Sequence, residues 1–139
     1  MSRTVFILRF VNGEPEPLDA EVVREVLGPY VVAADEDFGD VLIRTADGYE
    51  VQADFNGVCI AVGRFPPGQF FDIVAELVDR LRAAVILTDR PPLLRDEADR
   101  IHLPGDAEDA VVVEITGAAI ENFVSGIPTR TRCRPGRPR

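Results

Sequence analysis

Two dipeptides that favour tight turns divide residues 41–65 into three short runs of strand-forming residues. They are Asp47-Gly48 and Asn56-Gly57, and both tolerate the positive φ angles that two-residue hairpin turns require. The runs beside each dipeptide contain Val, Ile and Phe, which are typical of strands. This part of the chain therefore predicts a three-stranded antiparallel meander, and the rest of the fold has to be built around it.

Two-residue turns would fix the register of the meander and decide which side chains face the core. The predicted core face is mostly apolar: Leu42, Arg44, Ala46, Tyr49, Val51, Ala53, Phe55, Val58, Ile60 and Val62. The opposite face is mixed: Val41, Ile43, Thr45, Glu50, Gln52, Asp54, Cys59, Ala61 and Gly63. Arg44 is the one charged residue that this register directs toward the core.

Helix signals lie on both sides of the meander. Asp19 is placed to cap a helix that Gly28 and Pro29 would end. Apolar residues recur at helical spacing within residues 66–82. These residues are Phe70, Val74, Leu77, Val78 and Leu81. The pattern predicts two amphipathic helices, one before and one after the meander.

Further strand-like runs complete the order of elements. They occupy residues 4–11, 30–35, 83–89 and 110–115. The first run is apolar on both alternate faces, which is typical of a strand covered on both sides. Residues 91–109 could hold a short helix, and residues 116–128 read as a last helix with Thr116 as its cap.

This order of elements predicts an α+β fold with a mainly antiparallel sheet and helices packed on one sheet face. The predicted β-α-β-β-β-α-β core resembles a ferredoxin-like sandwich with an expanded middle hairpin, followed by a C-terminal strand–helix extension. Residues 1–128 are interpreted as a single acidic domain. Residues 129–139 are interpreted as a basic tail rich in arginine and proline.

Charge is divided unevenly along the chain, whose formal net charge is -9. Residues 1–128 hold ten arginines against 24 acidic residues, a net charge of -14, whereas residues 129–139 carry +5. A body this acidic repels nucleic-acid backbones and attracts basic surfaces. No apolar run approaches the ~20 residues needed to span a bilayer. We therefore expect a cytoplasmic protein whose partner is a basic protein rather than a membrane.

The sequence contains no phosphate-binding loop, dinucleotide fingerprint or nucleophile elbow. One histidine and two cysteines are too few for a usual zinc site, so we predict neither a metal nor a cofactor. Cys59 and His102 form the only thiol–imidazole combination in the acidic domain. Taken with the charge, these features favour a non-catalytic protein-binding module of the immunity or antitoxin type. Assembly into a homo-oligomer is left open.

Three sets of residues are candidate binding sites. The acidic run comprises Asp35, Glu36, Asp37 and Asp40, and the mixed sheet face comprises Glu50, Gln52 and Asp54. Both suit contact with a basic partner. Arg9 lies in an apolar strand and Arg44 on the predicted core face, so together they could form an anion pocket. Such a pocket, or the mixed sheet face, would serve the alternative function of a small enzyme or ligand-binding domain.

The end of the chain suggests a third function. The segment "RPGRPR" resembles part of an AT-hook, a peptide that binds the DNA minor groove. Gly136, Arg137 and Pro138 match the core of that motif, but Pro135 stands where its first arginine belongs. The resemblance implies a nucleic-acid adaptor that works through residues 129–139.

Overall fold

The computed structural model describes residues 4–36, 38–87, 91–103 and 109–125. Nine strands lie in these ranges: β1 Thr4–Val11, β2 Glu14–Glu16, β3 Val31–Ala34, β4 Asp40–Arg44, β5 Glu50–Phe55, β6 Cys59–Gly63, β7 Ala84–Leu87, β8 Leu93–Leu94 and β9 Val111–Val112. The α-helices are α1 Ala20–Leu27, α2 Gln69–Leu81 and α3 Gly117–Ser125. Two 3₁₀ helices occupy Gly28–Tyr30 and Glu97–His102.

The strands form one open sheet in the order β3-β4-β5-β6-β1-β7-β8-β9, with β2 paired to the end of β1. All pairs are antiparallel except β8 with β9. Because β1 lies between β6 and β7 and is antiparallel to both, those two strands run parallel and α2 connects them across β1. The order β7-β1-β6-β5 is that of a ferredoxin-like core, which β4 and β3 extend at one edge. The predicted α+β fold is confirmed.

The three α-helices pack on one face of this sheet. Val5 and Ile7 of β1 point to that face and are buried in a core shared with the buried stripe of α2. Ile120 and Val124 of α3 belong to the same core. Phe71 is also buried, in edge-to-face contact with Phe65 and Phe70.

The predicted register of β4 is wrong by one residue. The loop after β4 holds three residues, since Gly48 N donates to Thr45 O (2.9 Å) and Thr45 N donates to Tyr49 O (2.9 Å). Gly48, at the third loop position, has a φ of 97°, the left-handed geometry of a three-residue hairpin. Val41 and Ile43 therefore face the core, whereas Leu42 and Arg44 point outward.

The pairing of β5 with β6 differs from the predicted register by two residues, so each side chain stays on its predicted face of the sheet. Phe55 lies opposite Ile60 rather than Val58. Asn56 Oδ1 accepts from the backbone N–H groups of Val58 (3.0 Å) and Cys59 (2.8 Å), and Gly57 adopts a φ of 95°. Because side chains alternate with period two, the predicted faces of β5 and β6 are confirmed.

The predicted helix caps form as side-chain hydrogen bonds. Asp19 Oδ1 accepts from Glu21 N (3.0 Å), and Thr116 Oγ1 accepts from Ala119 N (3.1 Å). Gly28 does not end the first helix in a left-handed turn, because the chain continues through a 3₁₀ turn with a φ of -49° at this residue. The predicted helix end at residues 126–128 and the tail at residues 129–139 lie outside the described residues.

The segments after α2 are shorter than predicted. The run at residues 110–115 contributes only β9, and the predicted short helix within residues 91–109 is the 3₁₀ helix Glu97–His102. Within the ranges that the structure describes, no helix has the length and apolar character to cross a membrane.

Candidate functional site

The side of the sheet away from the helices is polar along β4 and β5. Cross-strand pairing places Asp40 opposite Asp54, Leu42 opposite Gln52, and Arg44 opposite Glu50. We use the term open face for the outward residues of β4, β5, β6 and β1: Asp40, Leu42, Arg44, Glu50, Gln52, Asp54, Ala61, Phe6 and Leu8. All three described α-helices pack on the other side, so none of them covers this face.

Two carboxylates oppose each other directly on the open face. Asp40 and Asp54 occupy paired positions, whose Cα atoms in an antiparallel ladder are about 4.5–5.5 Å apart. A side-chain hydrogen bond with Asp54 and repulsion from its charge raise the pKa of Asp40, and Asp35 adds to the repulsion. Asp40 therefore holds a proton more tightly than an ordinary aspartate does, because the like charge beside it disfavours the ionised form.

The acidic turn before β4 is fixed by its own backbone contacts. Asp35 Oδ1 accepts from Gly39 N (2.7 Å) and Asp40 N (3.3 Å). Phe38 takes a φ of 59°, and the guanidinium of Arg24 lies 5.1 Å from the centre of its ring. The structure thus brings Asp35 beside Asp40 and leaves Glu36 exposed. Asp37, the fourth residue of the predicted acidic run, lies outside the described residues.

The other end of the open face is neutralised. Arg44 Nη2 donates to Glu50 Oε2 at 2.5 Å, with the two side chains 55% and 48% exposed. The expectation that Arg44 points into the core is therefore wrong, because the three-residue loop turns it outward. Gln52 is exposed between this ion pair and the Asp40–Asp54 pair.

Apolar side chains continue the open face beyond the acids. Asp54 lies opposite Ala61, which in turn lies opposite Phe6. Ala61, Phe6 and Leu8 are only half-buried. The prediction that β1 is fully covered on both sides is therefore corrected, because the α-helices bury only its inward residues.

A second, smaller apolar cluster lies near the far edge of the sheet. It comprises Ala84, Leu94, Leu103 and Ala110, with Phe10 and Ile86 packed against it. This cluster covers part of the outward side of β7 and the end of β1.

The structure separates Arg9 from Arg44. Their strands are three spacings of about 4.8 Å apart in the sheet. Arg44 lies opposite the first residue of β5, whereas Arg9 lies near the end of the sheet where β5 finishes. The predicted anion pocket formed by these two residues together does not exist.

Arg9 instead lines two cavities with Arg82, the residue that follows α2. One cavity, of about 260 Å³, is also lined by Arg80 and Asp19. The other, of about 90 Å³, also contains His102. No local sequence pattern marks Arg82, because its proximity to Arg9 depends on the antiparallel pairing of β1 with β7.

In the part of the chain that the structure describes, no hydrogen bond joins Cys59 to His102. Burial raises the pKa of the Cys59 thiol, which disfavours the reactive thiolate. His102 Nδ1 accepts from Asn12 N at 3.2 Å, so this ring nitrogen is engaged by the backbone. Among the described residues, no three His, Cys, Asp or Glu side chains converge as a metal site.

Comparison of the chain with protein-family models, curated proteins and solved structures returns no match.

Proposed function

We propose that the chain is a non-catalytic protein-binding module that captures a basic protein partner through the open face, in the cytoplasm. Small immunity proteins and antitoxins that mask basic toxins act in this way. The proposal makes the open face the binding surface and assigns no chemical step to it. Asp35, Asp40 and Asp54 would supply the charge, and Ala61 and Phe6 the apolar contact.

The opposition of Asp40 and Asp54 is the observation that carries the proposal. Among the described residues, no arginine forms an ion pair with either carboxylate. Opposed like charges weaken the pairing of β4 with β5, so folding alone does not favour them. A cation placed between the two carboxylates would remove this repulsion, and the complex would be stabilised relative to the free protein.

The surroundings of the pair also suit a protein partner. Interfaces commonly combine an apolar centre with a polar rim, and the row Phe6–Ala61–Asp54–Asp40 passes from apolar to acidic within one face. The net charge of -14 over residues 1–128 would accelerate encounter with a basic surface.

The test begins with the full chain as bait in an extract of its own cells, washed at low and at moderate salt. We expect retention of a protein of basic isoelectric point. Its affinity for the bait is then measured after purification of both proteins. The double variant Asp40→Asn/Asp54→Asn should weaken binding by at least about tenfold, as expected for loss of interfacial charge pairs.

A matched variant separates the open face from overall charge. Glu14→Gln/Glu114→Gln removes the same two charges from exposed positions outside the open face. It should slow association slightly and leave the dissociation rate unchanged. Equal weakening by both double variants would assign binding to net charge alone and reject the proposed surface. If the bait retained no basic protein at either salt concentration, the proposed protein-binding function would be rejected.

A further inference from the structure

The end of β1 next to the last turn of α2 concentrates positive charge in an otherwise acidic molecule. Arg9, Arg80 and Arg82 line one cavity of about 260 Å³. A second cavity of about 90 Å³ shares Arg9 and Arg82 and adds His102. The two cavities therefore have two guanidinium-bearing residues in common, on separate elements of the fold.

Several charges around the cavities are already engaged. Arg80 Nη2 donates to Glu25 Oε1 at 2.5 Å. Asp99 Oδ2 lies 3.4 Å from Arg95 Nε. Asp19 caps the N-terminus of α1. Arg80, Asp19 and Asp99 line the cavities, but each of them is already engaged in one of these contacts.

Among the described residues, Arg9 and Arg82 have no such partners. Within the described part of the chain neither arginine forms an ion pair, although Glu16 lies opposite Arg9 in the register of β1 and β2. Arg9 is half-buried, whereas Arg82 is exposed. Two arginines left unpaired beside a cavity match the planar, bidentate recognition of an oxyanion.

The backbone at Arg82 provides an independent observation. Arg82 follows the last residue of α2 with φ 56° and ψ 47°, and its N–H and that of Ala83 both donate to Val78 O. Glycine is the residue that usually takes this left-handed position, because it has no Cβ. An arginine held there gives up stability that glycine would supply, and such strain is concentrated at functional sites.

We propose that Arg9 and Arg82 form a binding site for a phosphate-sized oxyanion. Both cavities have Arg9 and Arg82 in their lining, so an oxyanion in either one would lie beside the same two arginines. This site lies at the opposite end of the sheet from Arg44 and does not include the open face.

The test titrates the full chain with inorganic phosphate at constant ionic strength and follows the arginine Nε–H signals by NMR. Saturable shifts at Arg9 and Arg82 are expected. Glycerol phosphate is titrated in parallel: tighter binding of the ester indicates an organic phosphate ligand, and equal binding indicates free phosphate. The absence of saturable shifts at Arg9 and Arg82 with either compound would overturn the proposal.

Two variants distinguish binding from folding. Arg9→Gln should weaken phosphate binding by roughly tenfold or more, the effect of losing a hydrogen bond to a charged group. Arg82→Gly should weaken binding similarly while the melting temperature stays equal or rises, because glycine relieves the left-handed backbone. Arg44→Gln is the matched control and should bind as the original chain does. Phosphate shifts that persist unchanged in Arg9→Gln and Arg82→Gly would refute the site.

Discussion

At the scale of single residues, Gly117 shows how closely α3 packs on α2. A Cβ added at this buried position would lie 2.9 Å from the backbone N of Asp72 and closer still to its carboxylate. The backbone of α2 cannot move away without disturbing its own hydrogen bonds, so the contact leaves room only for glycine.

Gly117→Ala should therefore lower the free energy of unfolding by about 1–3 kcal/mol, as overpacking does. Chemical denaturation measures the effect. Gly28→Ala is the matched control, because no atom of the described residues lies within 4 Å of its added Cβ and its φ is -49°. That variant should be neutral or slightly stabilised. Equal stability of Gly117→Ala and the original chain would show that α3 moves away from α2 without cost.

At the scale of secondary-structure elements, a residue of one hairpin caps a neighbouring helix. Gly68 precedes α2 and has no side chain, but Asp47 Oδ2 accepts from Gln69 N at 3.1 Å. Ala46 N donates in return to Gln69 Oε1 at 2.7 Å. These two bonds join the β4–β5 loop to the start of α2 and place a carboxylate where the helix dipole favours it.

Asp47→Asn should lower stability at neutral pH and lose its effect in acid. A hydrogen bond from Thr45 and the backbone N–H of Gln69 hold the pKa of Asp47 below its ordinary value of 3.8. Stability from a lowered pKa is present above the ordinary value and is lost as the pH falls through the folded-state pKa. The difference between variant and original chain, measured by denaturation from pH 7 to pH 2, should therefore shrink below about pH 4.

The other end of the same helix provides the control. Asp79→Asn removes an exposed carboxylate near the C-terminus of α2, where the helix dipole disfavours negative charge. It should leave stability unchanged or raise it. A loss of stability in Asp47→Asn that stayed constant down to pH 2 would assign the effect to packing rather than to the charged cap.

Local signals made α1 and α2 predictable, whereas the candidate site depended on one loop. Helix caps and apolar stripes depend on residues that are close together in the sequence. Both helices therefore form near their predicted bounds. Asp47-Gly48 alone does not determine whether its loop has two or three residues. The third loop residue moves every side chain of β4 to the other face and brings Asp40 opposite Asp54. The Arg9–Arg82 proximity arises from strand order, which no local pattern encodes.

At the scale of the whole molecule, the net negative charge of residues 1–128 disfavours the compact folded state, because like charges repel one another. Residues 1–128 carry a net -14, and residues 129–139, which lie outside the described residues, carry +5. The hypothesis that this basic segment binds DNA stays a prediction. The Asp40–Asp54 pair concentrates the repulsion of the acidic domain at one point of the sheet. The effect of this pair on the stability of the free protein and its effect on the affinity for a basic partner should therefore be measurable separately.

Asp40→Asn should stabilise the free protein at neutral pH while weakening its complex with a basic partner. The raised pKa of Asp40 means that folding favours the protonated form, so stability is lost as the pH rises through that raised pKa. The variant removes this loss above the raised pKa, and its advantage should vanish below the ordinary value of 3.8. Denaturation from pH 3 to pH 8 measures the crossover. Glu14→Gln, which removes one charge from a position opposite Val11, is the matched control and should not gain comparable stability at pH 7. If Asp40→Asn destabilised the protein at pH 7, the opposed carboxylates would be serving the fold, and the argument for a cationic partner would fail.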